Sequence, residues 1–248
     1  MNMLDFMPGR RQQATGEVLA AWMVSPNIKR IRLGGSEVER FIQADQIQAP
    51  AAWVKIQLET GDRRAYTIRC FDPWAGTLDL EFVIHQCGAA SGPASRWTQG
   101  AKAGDRLAFS GPRQGGFKMP KEAAWLVMAG DATALPAIQS IAHHLSEKVC
   151  ADVFIELPEA ADQQVLISAA RLQVHWIAQG AVPGEALCAA LGSHPMRNGQ
   201  GYVWMAGEAS AARAIRHLYL QERGLAPHRL SAKGYWKLGQ SGHKDRGG

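Results

Sequence analysis

Up to about Phe117 the chain is written in short strand-like runs; beyond Met119-Pro120 strands and helices alternate. That change of period limits the fold more than any other feature. Runs at 17–24, 28–33, 52–59, 64–71, 77–84 and 106–110 carry residues that suit a pleated surface. Ser25-Pro26, Gly61-Asp62, Asp72-Pro73 and Gly104-Asp105 supply turns between most of them. Six short strands with little helix predict a small antiparallel barrel. One helix interrupts it, starting near Pro93 and running through Trp97, with proline at a favourable first position and Ser-Gly ahead of it.

The second half opens with an apolar run at 125–129 suited to a strand buried on both faces. Gly130-Asp131-Ala132-Thr133 follows, then a helix in which Leu135, Ile138, Ile141 (or Ala142) and Leu145 recur at helical spacing. Thr133 is the expected N-cap and Pro136 lies in the first turn. Strand-like runs return at 149–157, 172–177 and 201–206, with helix-like stretches at 184–191 and 208–223. This alternation predicts a parallel sheet with helical crossovers. The expected domains are a barrel over 1–120 and an α/β unit over 121–239, with 240–248 a disordered tail.

The 248 residues suffice for two real cores, and 46% hydrophobic with 20% charged residues is a globular balance. A net charge of +5 favours an anionic partner, whether a phosphate-rich cofactor, an acidic ligand or nucleic acid. The basic clusters (Lys29-Arg30 with Arg32, and Arg63-Arg64) are short and no nucleic-acid motif is present, so nucleic acid is not expected. Cysteines at 70, 87, 150 and 188 form no Cys-x-x-Cys pair, which argues against zinc, iron–sulfur clusters and a disulfide framework. No protein metal site is expected. The N-terminal stretch lacks the apolar core of a signal peptide, and no window approaches about eighteen apolar residues. A cytoplasmic monomer with no membrane span is the expectation.

Residues 64–69, Arg-Ala-Tyr-Thr-Ile-Arg, carry the densest chemistry. In a strand Arg64, Tyr66 and Ile68 share one face while Thr67 and Arg69 share the other. A guanidinium fork suits a phosphate, a tyrosine face suits a flat ring, and a threonine hydroxyl suits a heteroatom on that ring's edge. A flavin nucleotide needs that combination. A half-exposed strand with ordinary surface arginines has the same sequence.

The resemblance that decides between these readings spans nearly the whole chain. RAYTIR at 64–69, EFVIH at 81–85, GPASRW at 92–97, GDRLAFSGPRQGGF at 104–117, AGDATALPAI at 129–138, MAGEAS at 205–210 and GYWKLG at 234–239 occur in order. Together they resemble the siderophore-interacting proteins, or ferric-siderophore reductases, of the ferredoxin-reductase superfamily. The resemblance implies that Arg64, Ala65, Tyr66 and Thr67 hold FAD: Arg64 on the pyrophosphate, Tyr66 along the ring system, Thr67 near its reactive edge. It implies that His85 contacts the flavin; a strand-end histidine satisfied in the core is the other reading. Gly92, Pro93, Ala94 and Ser95 open a helix whose free N–H groups suit a phosphate. Trp97 reads as packing.

At the α/β half the resemblance implies a nicotinamide dinucleotide, NADPH or NADH, beside Gly130, Asp131, Thr133, Ala134, Gly207 and Glu208. Asp131 and Glu208 also read as acids favoured at helix N-termini. Trp236 is either a flavin neighbour or a core residue. Lys55, Arg69 and Lys233 are candidates for attracting an anionic iron chelate, or solvated surface charges. Two departures from the family pattern stand out. Six residues, Gln-Cys-Gly-Ala-Ala-Ser, separate His85 from Gly92, and Ala178-Gln179-Gly180 follows Trp176-Ile177 where relatives often carry a basic residue. Without that charge the site has less reason to prefer a 2′-phosphate, so NADH is a live donor. The implied activity is NAD(P)H-dependent reduction of ferric siderophores. The alternatives are a flavin oxidoreductase with another acceptor and a non-catalytic siderophore-binding protein.

Overall fold

Six strands close into an antiparallel barrel: β1 (Gln12–Ser25), β2 (Ile28–Gly34), β3 (Trp53–Gln57), β4 (Arg63–Asp72), β5 (Thr77–Val83) and β6 (Arg106–Arg113), in the order β1-β2-β5-β4-β3-β6. The computed structural model describes residues 12–84, 92–240 and 242–243. The barrel fills from alternate residues of its strands, with Ile31, Val54, Ile56, Leu78, Leu80 and Phe82 fully buried inside. Each such side chain contributes roughly 1.5–3 kcal/mol of apolar burial. A short helix absent from the sequence expectation, α1 (Ser36–Phe41), closes one end by burying Val38 and Phe41, the latter edge-on to Phe109 at 4.9 Å. The expected second helix is α2 (Pro93–Gly100), a turn longer than the pattern predicts.

The second unit is a five-stranded parallel sheet with the order β11-β10-β7-β8-β9, from β7 (Trp125–Asp131), β8 (Cys150–Leu157), β9 (Arg171–Ala178), β10 (Gly201–Glu208) and β11 (Leu230–Trp236). Every residue of β7 and β10 is buried, which is why their sequences read as unbroken apolar runs. On one face α3 (Leu135–His144) packs between sheet and barrel; on the other lie α4 (Glu185–Ser193) and α5 (Ala209–His217). The pattern carries the last helix on to 223, but the chain turns to a π-helix at Leu218–Glu222. Strand β11 is not announced by a hydrophobic period, because Lys233 and Gly234 interrupt it.

Polar and apolar contacts join the two units. Ile28 and Ala51 of the barrel belong to the same buried cluster as α3, and the Ser140 hydroxyl accepts from the Ala51 N–H at 3.0 Å. Asp162, fully buried, accepts from Ser25 Oγ (2.7 Å), Asn27 N (2.9 Å) and Asn27 Nδ2 (2.8 Å). These bonds pin the β1–β2 turn to the segment after β8.

Candidate functional site

The barrel wall is split beside the Arg-Ala-Tyr-Thr segment. Residues 63–67 of β4 pair with β3, whereas the ladder to β5 runs only from Ile68↔Leu80 to Asp72↔Thr77. Beyond Leu80, β5 continues to Val83 paired with β2. The strands therefore diverge, with Arg64, Tyr66 and Thr67 on one side and Glu81, Phe82 and Val83 on the other. Tyr66 lies on the inner face against Phe82, ring centroids 4.2 Å apart, and burial pushes its phenol up to about 12 with Arg64 opposing. Arg64 donates to Asp62 Oδ1 at 3.2 Å and to the Arg63 carbonyl at 3.0 Å. Ala65 and Thr67 take the outer face; Ala65 is exposed opposite Lys55, while Thr67 is buried and hydrogen-bonded to Tyr235 of β11. The six residues thus divide between two faces as strand alternation requires.

Helix α2 stands at this end of the barrel. Gly92 is its N-cap in extended backbone and Pro93 opens it, with no side-chain cap and no acid in the first turn. The other helices differ. Glu37 and Glu39 lie in the first turn of α1, Glu156 accepts from Gly184 N and Leu187 N before α4, and Glu208 accepts from Ser210 N and Ala211 N before α5. Asp131 holds the turn entering α3. At the opposite end of α2, Lys29 Nζ donates to the carbonyls of Gln99 (3.0 Å) and Ala101 (3.1 Å), a cation where the dipole favours one. Ala94 is buried, and so is Ser95, whose hydroxyl has no hydrogen-bond partner among the described residues. An unpartnered buried hydroxyl beside open N–H groups is the donor set a cofactor phosphate needs, and the residues fit FAD.

The carboxyl edge of the sheet is tied to the C-terminal segment. Asp131 Oδ1 accepts from Thr133 N (2.9 Å) and Thr133 Oγ1 (2.5 Å), and Oδ2 accepts from Glu208 N (2.9 Å) and Trp236 Nε1 (2.8 Å). Thr133 is therefore not the N-cap that the sequence predicts. The aspartate at the strand end reaches forward to cap the turn, and Ala134 occupies the N-cap of α3. Burial pushes the Asp131 carboxyl up against the pull of these donors. Glu208 Oε1 in turn accepts from Leu238 N at 3.3 Å. Two glycines allow the approach. A Cβ on Gly130 would sit 2.4 Å from Ala134 Cβ, and one on Gly207 (φ +150) 2.7 Å from Asp131 Oδ2. Tyr235, within the GYWKLG segment, bridges this edge to Thr67, and burial pushes its phenol far up.

The three candidate substrate cations occupy three settings. Lys55 lines a cavity of about 220 Å³ on the barrel wall with Glu37, Gln57 and Arg63. Arg69 Nε lies 3.7 Å from Glu81, and Lys233 Nζ donates to the Gly115 carbonyl at 3.2 Å. His85 lies outside the described residues, as do 241 and 244–248 of the expected tail. Among the described residues no group of His, Cys, Asp and Glu side chains is placed to hold a metal ion, and no helix is long and apolar enough to cross a membrane.

Comparison with known proteins agrees with this geometry. Residues 46–116 match the model of the siderophore-interacting FAD-binding domain and residues 123–239 that of the siderophore-interacting protein. A siderophore utilization protein from T. fusca superposes with a TM-score of 0.80 at 31% identity, over 94% of this chain and 96% of that one. This chain belongs to the siderophore-interacting protein family. Among relatives of this siderophore-interacting protein, the ferric vibriobactin reductase ViuB of Vibrio cholerae is 26% identical over 88% of this chain and 87% of its own. The mycobactin import ATP-binding/permease protein IrtA of Mycolicibacterium smegmatis is 28% identical over 96% of this chain, which spans only 27% of that longer protein. The fold extends to the ferredoxin reductase of carbazole 1,9a-dioxygenase, with a TM-score of 0.67 at 17% identity, over 90% of this chain and 67% of that one.

Proposed function

We propose that this siderophore-interacting protein is an FAD-dependent reductase that passes electrons from a nicotinamide dinucleotide to ferric siderophores in the cytoplasm, releasing Fe(II). The observation that carries the reading is the split wall at β4 with α2 beside it. On this reading Arg64 on β4 and the open first turn of α2, with its unpartnered Ser95 hydroxyl, would both serve the cofactor's phosphates. When bound, FAD supplies the chemistry, accepting a hydride and returning electrons singly. The protein's part is placement. Arg64, Gly92, Pro93, Ala94 and Ser95 would hold the phosphates, and Ala65, Tyr66 and Thr67 the ring system. The loops of Gly130, Asp131, Thr133, Ala134, Gly207 and Glu208, with Trp236, would shape the donor's place. Lys55, Arg69 and Lys233 would attract the anionic chelate, and His85 would adjoin the flavin.

The domain limits proposed are 1–120 for the FAD-binding barrel and 121–239 for the dinucleotide unit, acting as a monomer. Fe(III) is hard and tightly held by anionic oxygen ligands, while Fe(II) binds them less tightly, so reduction frees it without a protein ligand. Ala178-Gln179-Gly180 at the end of β9 offers no cation to a 2′-phosphate, which supports NADH as donor. The test is oxidation of NADH and of NADPH with Fe(II) captured by a ferrous chelator, using ferric siderophores and, separately, quinones. Capture of two Fe(II) for each dinucleotide oxidised supports the reading; oxidation with quinones alone would reassign the acceptor.

A further inference from the structure

The apex of the split between β4 and β5 holds two unsatisfied polar atoms side by side. Glu81, 4% exposed, follows the last β4–β5 pair, Ile68↔Leu80. Arg30 directs both Nε (2.9 Å) and Nη2 at Glu81 Oε1, and Arg69 Nε lies 3.7 Å from that same oxygen. Every cation thus converges on Oε1. Oε2 is buried with no partner among the described residues, and Arg69 Nε makes no hydrogen bond there either. The neighbouring pair on the same barrel face shows what a purely structural bridge looks like. Arg32 grips both oxygens of Asp79 in a fork, Nε to Oδ1 at 2.8 Å and Nη2 to Oδ2 at 2.9 Å. Glu81 instead keeps one oxygen spare, and a buried unpaired acceptor is costly unless something pairs it.

A lone acceptor beside a lone donor is complementary to a ligand edge that carries an N–H next to a C=O. The flavin ring system has one such edge, the imide of its pyrimidine ring. We propose that Glu81 and Arg69 read this imide edge, Glu81 Oε2 accepting its N–H and Arg69 donating to the adjacent carbonyl. Arg30 is the positioning residue that holds Glu81 by its other oxygen. The proposal rests on the reading that β4 binds flavin. It moves Arg69 from the iron substrate to the cofactor.

The test uses the apoprotein titrated with FAD and with FAD methylated at the imide nitrogen, following flavin fluorescence. The wild type should bind the methylated cofactor about 10–100-fold more weakly, the usual consequence of leaving a buried acceptor unpaired. In Glu81→Gln, which turns an N–H donor toward the ring, the gap should shrink to within about threefold. Equal affinity of the wild type for both cofactors would overturn the proposal, and so would a gap that persists in the variant. The wild-type comparison decides even if the variant does not fold. A wild type that binds neither cofactor would refute the flavin reading itself, an outcome distinct from binding both equally.

Discussion

Replacing Asp131 tests how the carboxyl edge of the sheet is assembled. Four donors end on this one carboxylate: Thr133 N, Thr133 Oγ1, Glu208 N and Trp236 Nε1. In Asp131→Ala the threonine hydroxyl can rotate away, but the three N–H groups are fixed by backbone and ring. Each unpaired buried donor costs roughly 1–3 kcal/mol, and relief from burying a carboxyl offsets part of the sum. The expected net loss is about 2–4 kcal/mol. Asp131→Asn keeps one acceptor oxygen and should lose about half as much. Urea unfolding reads this as a lower midpoint with an unchanged slope, since the surface exposed on unfolding stays the same. Because Trp236 loses its anchor, its near-ultraviolet circular dichroism should change in both variants. A loss under about 1 kcal/mol in Asp131→Ala, with the Trp236 signal intact, would refute the reasoning, because buried donors cannot go unpaired at so low a cost.

Other consequences are as definite. Arg64→Ala should weaken FAD binding by roughly 10–100-fold and reduce its dependence on salt, the signature of a lost charge-assisted phosphate contact; isothermal titration at two ionic strengths measures both. Burial raises the pKa of all four tyrosines, Tyr66 to about 12 and Tyr202, Tyr219 and Tyr235 in the same direction. Their contribution to stability is whole below the ordinary value of 10 and is lost as pH rises through the raised values. Phenolate absorbance at pH 10 should therefore be lower than that of four free tyrosines, and the remainder should appear with alkaline unfolding. Asp162→Ala strips three donors of their acceptor where the β1–β2 turn meets the second unit, and should cost about 2–4 kcal/mol in the same urea assay.

The fold was legible where local pattern carries it. Alternation along β4 assigns Arg64 and Tyr66 to one face and Thr67 to the other, and the unbroken apolar runs of β7 and β10 announce a covered parallel sheet. Helix α1 and strand β11 were not, because their character comes from tertiary covering and Lys233-Gly234 breaks the period. At the site, Asp131 and Glu208 read as acids at helix starts, but the capping by Asp131 in place of Thr133 was not legible, and its reach to Trp236 depends on the C-terminal segment folding back over the sheet edge. The place of Glu81 was hidden for a similar reason. An acid in a buried strand is visible in the sequence, but the spare oxygen follows from where the β4–β5 ladder stops. Pairing register between distant strands is not written in either one.

The most direct test of the central claim is anaerobic mixing of the FAD-loaded, fully reduced protein with a ferric siderophore, followed by the flavin's visible absorption. The account predicts reoxidation that accelerates with chelate concentration, slows with added salt and delivers one electron per iron captured as Fe(II). Flavin that stays reduced beside a ferric siderophore, yet is promptly reoxidised by a quinone or a protein acceptor, would contradict it.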